Sequence, residues 1–124
     1  MDIPMAGAPA APTGTALTAD QKQAWDDLVA QNDLVLFMKG TPDAPQCGFS
    51  ARAAAALQQL ERPFAHVNMF DQPDPFQAIQ AIAEWAQFPT LPQVWVKGEL
   101  IGGSDIALEM VENGELQEML QEAA

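Results

Sequence analysis

The residue most able to do chemistry is Cys47, the single cysteine of a 124-residue chain. It stands where a proline-containing loop meets a helix-forming run. A sulfur placed there faces unpaired backbone N–H groups and the positive end of the helix dipole, both of which favour thiolate over thiol. Such positions bring a cysteine from about 8.5 to between roughly 3.5 and 7.5, and the thiolate is both nucleophile and metal ligand. Lys39, at the end of the preceding apolar run, adds a favourable charge. It is one of only five cations, with Lys22, Arg52, Arg62 and Lys97. A lone cysteine is often an inert, buried residue. The neighbours here argue otherwise: Gly48 cannot shield the sulfur, Pro45 stiffens the approach, and Gln46 and Ser50 are polar.

The elements that must position this thiol follow from periodicity. Thr18 with Gln21 makes a capping-box pattern opening a helix that carries Trp25, Leu28 and Val29 and ends near Asn32. Leu34 to Met38 is a short apolar run suited to a strand buried on both faces. Pro42 and Pro45 forbid helix in the Gly40–Gln46 loop, and Ala51 to Leu60 is free of breakers, so the second helix starts at or just after Cys47. Phe64 to Phe70, containing Val67 and Met69, reads as a second strand. Pro73 and Pro75 then reset the chain before Phe76, Ile79, Ile82 and Ala83 recur at helical intervals. Val94 to Ile101 is a hairpin around Lys97-Gly98, ended by Gly102-Gly103. Ser104-Asp105 caps a helix with Ile106, Leu108, Met110 and Val111, and Asn113-Gly114 separates it from a last piece, Glu115 to Gln121. The order is α-β-α-β-α-β-β-α-α. A β-α-β crossover makes a parallel pair and the hairpin an antiparallel one, which predicts an α/β fold with a four-stranded mixed sheet flanked by helices, the thioredoxin-like arrangement.

Lys39-Gly40-Thr41-Pro42 through Pro45-Gln46-Cys47-Gly48-Phe49-Ser50 resembles the signature of the monothiol glutaredoxins, whose hallmark is Cys-Gly-Phe-Ser. The resemblance continues through Thr90-Leu91-Pro92-Gln93 and Ile101-Gly102-Gly103-Ser104-Asp105, covering nearly everything from about residue 18 onward. It implies a glutaredoxin domain over 17–124 in which glutathione lies beside Cys47, Gly48 and Phe49. Lys39 would hold a glutathione carboxylate, Leu91 would pair with the tripeptide main chain, and Pro92 would be cis. Ser104 N–H would take the γ-glutamyl carboxylate and Asp105 the ammonium. The glutathione sulfur serves as a second ligand, so that two protomers supply four sulfurs to a [2Fe-2S] cluster. The chemistry agrees with the residue count: such a cluster wants four thiolates, and a chain with one cysteine provides them only by dimerising and borrowing thiols. Metal ligation on the protein side thus falls to Cys47 alone.

The function the resemblance implies is a carrier, a cluster-loaded homodimer passing [2Fe-2S] to apo iron-sulfur client proteins, with a BolA-type protein as a further partner. The alternative is an enzyme, a glutathione-dependent thiol-disulfide oxidoreductase removing glutathione from mixed disulfides through Cys47. The resemblance implies that this activity is weak, since in the monothiol class the loop matching Thr41 to Gln46 misplaces the second glutathione.

The chain departs from its relatives in two ways. Ser104 stands where many carry a second cysteine. Asp71 to Pro89, longer than usual, contains no Lys or Arg where a basic residue clamps the glycine carboxylate. Gln77 or Gln80 would offer neutral hydrogen bonds instead, about half as strong as charge-assisted ones, so weaker glutathione retention is expected. His66 has no second ligand near it in sequence and reads as structural, and Trp25, Trp85 and Trp95 read as packing residues.

Composition bounds the rest. With 17 acidic and 5 basic residues the net charge is −12, which repels phosphate backbones and anionic lipid and argues against nucleic acid as a partner. The run from Asp105 to Glu122 has no basic residue, as expected of a solvated acidic face. Residues 1–16 are dominated by Ala, Pro, Gly and Thr and are expected to form a disordered tail. Asp2 and the lack of basic residues from Met1 to Pro12 do not fit a signal or transit peptide, and no apolar run is long enough to span a bilayer. An unpaired thiol suits a reducing compartment, so a cytoplasmic location is expected.

Overall fold

The computed structural model describes residues 16–121. The disordered tail expected over 1–16 therefore lies outside the described residues except for Ala16. That residue is buried: its N–H faces the Glu84 carboxylate and its carbonyl accepts from the Gln77 amide.

Among the described residues nine elements follow in the expected order: α1 (Ala19–Gln31), β1 (Leu34–Met38), α2 (Gly48–Gln58), β2 (Ala65–Asn68), α3 (Pro75–Ala86), β3 (Gln93–Val96), β4 (Glu99–Gly102), α4 (Ser104–Glu112) and α5 (Glu115–Gln121). They form the mixed four-stranded sheet predicted, in the order β2-β1-β3-β4. β1 pairs parallel with β2 and antiparallel with β3, and β3 pairs antiparallel with β4. Lys97 and Gly98 both have positive φ (50° and 84°), as a two-residue hairpin turn requires.

β1 lies at the centre because all five of its residues are buried. Alternation sends Leu34, Leu36 and Met38 to one face, under Ala53, Ala54 and Leu57 of α2, Ala107 of α4 and Leu116 and Leu120 of α5. Val35 and Phe37 face the opposite way, under Trp25 and Val29 of α1 and Ala78, Ala81 and Ile82 of α3. On that second face the rings of Trp25, Phe37, Trp85 and Trp95 form a continuous chain, from an edge contact of 6.1 Å between Trp25 and Phe37 to a stack of 4.5 Å between Trp85 and Trp95. The tryptophans are packing residues, as their spacing predicts.

Two expectations need correction. β2 is shorter than the Phe64–Phe70 run, because the Asn68 side chain accepts the N–H of Phe70 and turns the chain, although Met69 still donates to the Met38 carbonyl at 2.8 Å. Phe76, counted with the helical apolar repeat, points to solvent at 82% exposure from the first turn of α3. The face of α3 that packs is set by Ala78, Ala81 and Ile82, and Phe76, two residues before Ala78, falls on the other side of the helix.

Candidate functional site

Parallel pairing brings the C-terminal ends of β1 and β2 to one edge of the sheet, and the antiparallel return of β3 begins there. The ladder between β1 and β3 ends at Phe37↔Gln93, and Lys39 and Leu91, each two residues beyond it, both line the groove described below. The loop 40–46 is closed on itself by an antiparallel bridge between Gly40 and Pro45, by Gln46 N–H to the Lys39 carbonyl at 3.0 Å, and by Ala44 N–H to the Thr41 carbonyl at 3.0 Å. Gly40 is required: its φ is +92°, and a Cβ would stand 2.6 Å from both the Ala44 oxygen and the Gln46 nitrogen.

The loop delivers Cys47 to the N-cap of α2, in extended backbone, with its carbonyl accepting from Ala51 N–H at 2.9 Å. Its side chain makes no capping hydrogen bond, so the first-turn amides act on the sulfur as an oriented field. The Ser50 N–H is the strongest influence holding the thiol below its ordinary pKa; partial burial opposes it, while the Phe49 N–H, the Lys39 charge and the Ser50 hydroxyl reinforce it. Ser50 is fully buried and its Oγ also accepts the Lys39 N–H at 3.1 Å, fastening the end of β1 to the first turn of α2. Cys47 is half-buried.

Beside it opens a groove of about 750 Å³. Of the residues singled out from sequence, Lys39, Cys47, Phe49, Leu91, Pro92, Ser104 and Asp105 line it. Gly48 does not: it is exposed, with open space around its Cα. The Leu91–Pro92 bond is cis. Gly103 and not Ser104 caps α4, and offers no side-chain cap, so the first-turn amides of Ser104 and Asp105 are left for another acceptor. The close approach of Gly103 to the Pro92 oxygen, where a Cβ would come within 3.4 Å, brings that helix end to the cis bond.

Gln93 explains how the opposite wall is held. It is fully buried, its amide donates to the carbonyls of Phe88 and Thr90 (3.3 and 3.4 Å), and its oxygen accepts from Trp95 Nε1 at 3.1 Å. Phe88 and Thr90 both line the groove.

Sequence reasoning missed the apolar floor, Ile79, Phe88, Ile101 and Ile106. It also misplaced the polar contribution of α3. Gln77 and Gln80 do not line the groove; Gln77 reaches Ala16 and Gln80 is exposed, and Ile79 is the residue α3 presents. Arg52, noted only as a cation, pairs with Asp105. The available signal was its position three residues after Phe49 on one helix face. His66 is exposed, and no cluster of metal-binding side chains exists among the described residues. Nor, among them, is any helix long and apolar enough to cross a membrane.

The glutaredoxin family profile matches residues 34–101. The chain is 48% identical over 96 residues to Glutaredoxin 4 of Haemophilus influenzae, covering 77% of this chain and 87% of that protein. It is 46% identical over 97 residues to Glutaredoxin 4 of Escherichia coli K12, covering 77% and 81%. Among solved structures, the buckwheat glutaredoxin-glutathione complex superimposes with a TM-score of 0.74 at 30% identity, covering 90% of this chain and 96% of that one. Reduced apo GrxS14 from poplar gives 0.66 at 41% identity, covering 81% and 89%.

Proposed function

The chain belongs to the glutaredoxin family, in its monothiol branch, and from that premise we propose that it binds a glutathione-ligated [2Fe-2S] cluster as cargo and transfers it to apo iron-sulfur proteins. The observation that carries this reading is an ionisable Cys47 sulfur at the mouth of a groove that offers complementary chemistry for a tripeptide thiol.

The residues fit glutathione. The groove volume lies within the usual range for small-ligand sites, roughly 300 to 1,000 Å³. Lys39 supplies a cation for a carboxylate, the uncapped α4 amides suit a second one, Asp105 suits an ammonium, and Ile79, Phe88 and Ile106 face the apolar atoms between. A bound glutathione would supply a further thiolate next to Cys47. With one cysteine per chain, a four-thiolate cluster needs two copies of the protein and two tripeptides, so the loaded species is a homodimer. A BolA-type protein in place of the second copy is part of the same proposal, as is a cytoplasmic setting that keeps the thiol reduced.

Anaerobic reconstitution with iron, sulfide and glutathione tests it. The expected product is a coloured dimer with visible absorption, lost in Cys47→Ser; a colourless monomer would overturn the reading. The same thiolate and groove are also the minimum for removing glutathione from mixed disulfides. A mixed-disulfide reductase assay separates the two, the expected outcome being slow turnover beside efficient cluster uptake.

A further inference from the structure

Two cations stand near the groove, and only Lys39 has been given a task. Arg52, on the exposed side of α2, is held by two residues that do line the groove. Its guanidinium carbon sits 5.6 Å from the centre of the Phe49 ring, and its Nη1 lies 3.4 Å from Asp105 Oδ1. As an ion pair this is a poor stabiliser: the Arg52 side chain is 50% exposed and that of Asp105 89%, and water screens such pairs heavily. What the pair does is fix the position of two opposite charges, side by side, against the end of α4 whose first-turn amides have no side-chain cap.

An α-amino-acid end carries the mirror image of that arrangement, an ammonium and a carboxylate on one carbon. When the ammonium takes Asp105, the guanidinium is displaced from its partner. The Phe49 ring, by the cation-π contact, limits where it goes. It remains beside the carboxylate that the α4 amides receive, with five donors in a planar fork suited to that group. We propose that Arg52 is a binding residue of the groove, taking the α-carboxylate of a γ-glutamyl ligand while Asp105 takes its ammonium. This rests on the glutathione reading above. It also supplies, from α2, a second cation for a groove that α3 leaves without one.

Calorimetric titration of the intact protein with three ligands tests the assignment: glutathione, glutaryl-Cys-Gly, which lacks the ammonium, and 4-aminobutyryl-Cys-Gly, which lacks the α-carboxylate. Arg52→Gln is expected to weaken glutathione and glutaryl-Cys-Gly about three- to fivefold each, the scale of an exposed charge pair, and to bind 4-aminobutyryl-Cys-Gly no more weakly than before, because its ammonium no longer has to displace a guanidinium from Asp105. Arg52→Lys, with its charge but without its fork, should recover part of the loss. Equal glutathione affinity in Arg52→Gln and the unsubstituted protein would overturn the proposal. So would tighter glutathione binding in the variant, which would make Arg52 only a competitor for Asp105. If the unsubstituted protein bound no glutathione at millimolar concentration, the functional reading would fall together with this one, whereas the first two outcomes leave it standing.

Discussion

Asn68 Oδ1 accepts the N–H of Gly40 at 2.9 Å, tying the first residue of the cysteine loop to the end of β2. The same oxygen accepts the N–H of Phe70, also at 2.9 Å. Asn68→Ala leaves both amides without their acceptor, and a loss of about 1–3 kcal/mol in urea unfolding is expected, with a slower reaction of Cys47 toward iodoacetamide as the loop loosens. Asn68→Asp keeps the acceptor and should retain most of the stability. Equal stability of the alanine variant would show that the clasp is dispensable.

Gly40→Ala forces a positive φ on a residue with a Cβ and drives that atom into the Ala44 oxygen and Gln46 nitrogen. A cost of at least about 2 kcal/mol is expected. The loop should open at its Gly40–Pro45 bridge before the rest of the domain does, so amide exchange at Gln46 is expected to accelerate more than exchange within β1. A uniform change at both places would argue against a local effect.

The ionisation of Cys47 has a pH signature. Its folded pKa lies below that of an unfolded cysteine, first because of the Ser50 N–H. Alkylation against pH should therefore show a midpoint below about 8.5. Stability follows the same linkage: the thiolate contribution is fully present above the unfolded cysteine's pKa and is lost as pH falls through the folded one. The stability difference between the protein and Cys47→Ser should accordingly rise with pH across that interval. A pH-independent difference from pH 6 to 9 would contradict the assigned direction.

α3 presents Ile79 to the groove and no basic residue. Ile79→Lys should tighten glutathione binding about three- to tenfold by adding a charge-assisted contact at that wall. Lys39→Gln should weaken it by a similar factor and flatten its salt dependence. Calorimetry at two ionic strengths measures both, and an unaltered affinity in Ile79→Lys would mean that the ligand does not reach α3.

Local pattern decided much of this fold. Cys47 at the start of α2, the hairpin turn at Lys97-Gly98 and the order of elements all follow from short-range preferences that tertiary packing reinforced. The site was legible where it rests on motifs, in Lys39, Cys47, Leu91, Pro92, Ser104 and Asp105. Ile79 in the groove and the Arg52–Asp105 pair beside it were not, because each depends on elements distant in sequence meeting: α3 approaching the loop before Pro92, and α2 packing against α4. The end of β2 was missed for a different reason. Phe64 to Phe70 has strand-like side chains throughout, but Asn68 takes the Phe70 N–H on its side chain and the Asp71 N–H on its carbonyl, a local turn that ends the strand.

The ring chain from Trp25 to Trp95 ends on Gln93, whose amide grips the carbonyls of two groove residues. The molecule therefore contains its own optical probe. A guest that shifts Phe88 or Thr90 by a fraction of an ångström alters the hydrogen bond on the Trp95 indole, and through a 4.5 Å stack the emission of its neighbour Trp85. Occupancy of the groove should be visible as a change in intrinsic fluorescence, with no label and no absorbing cargo.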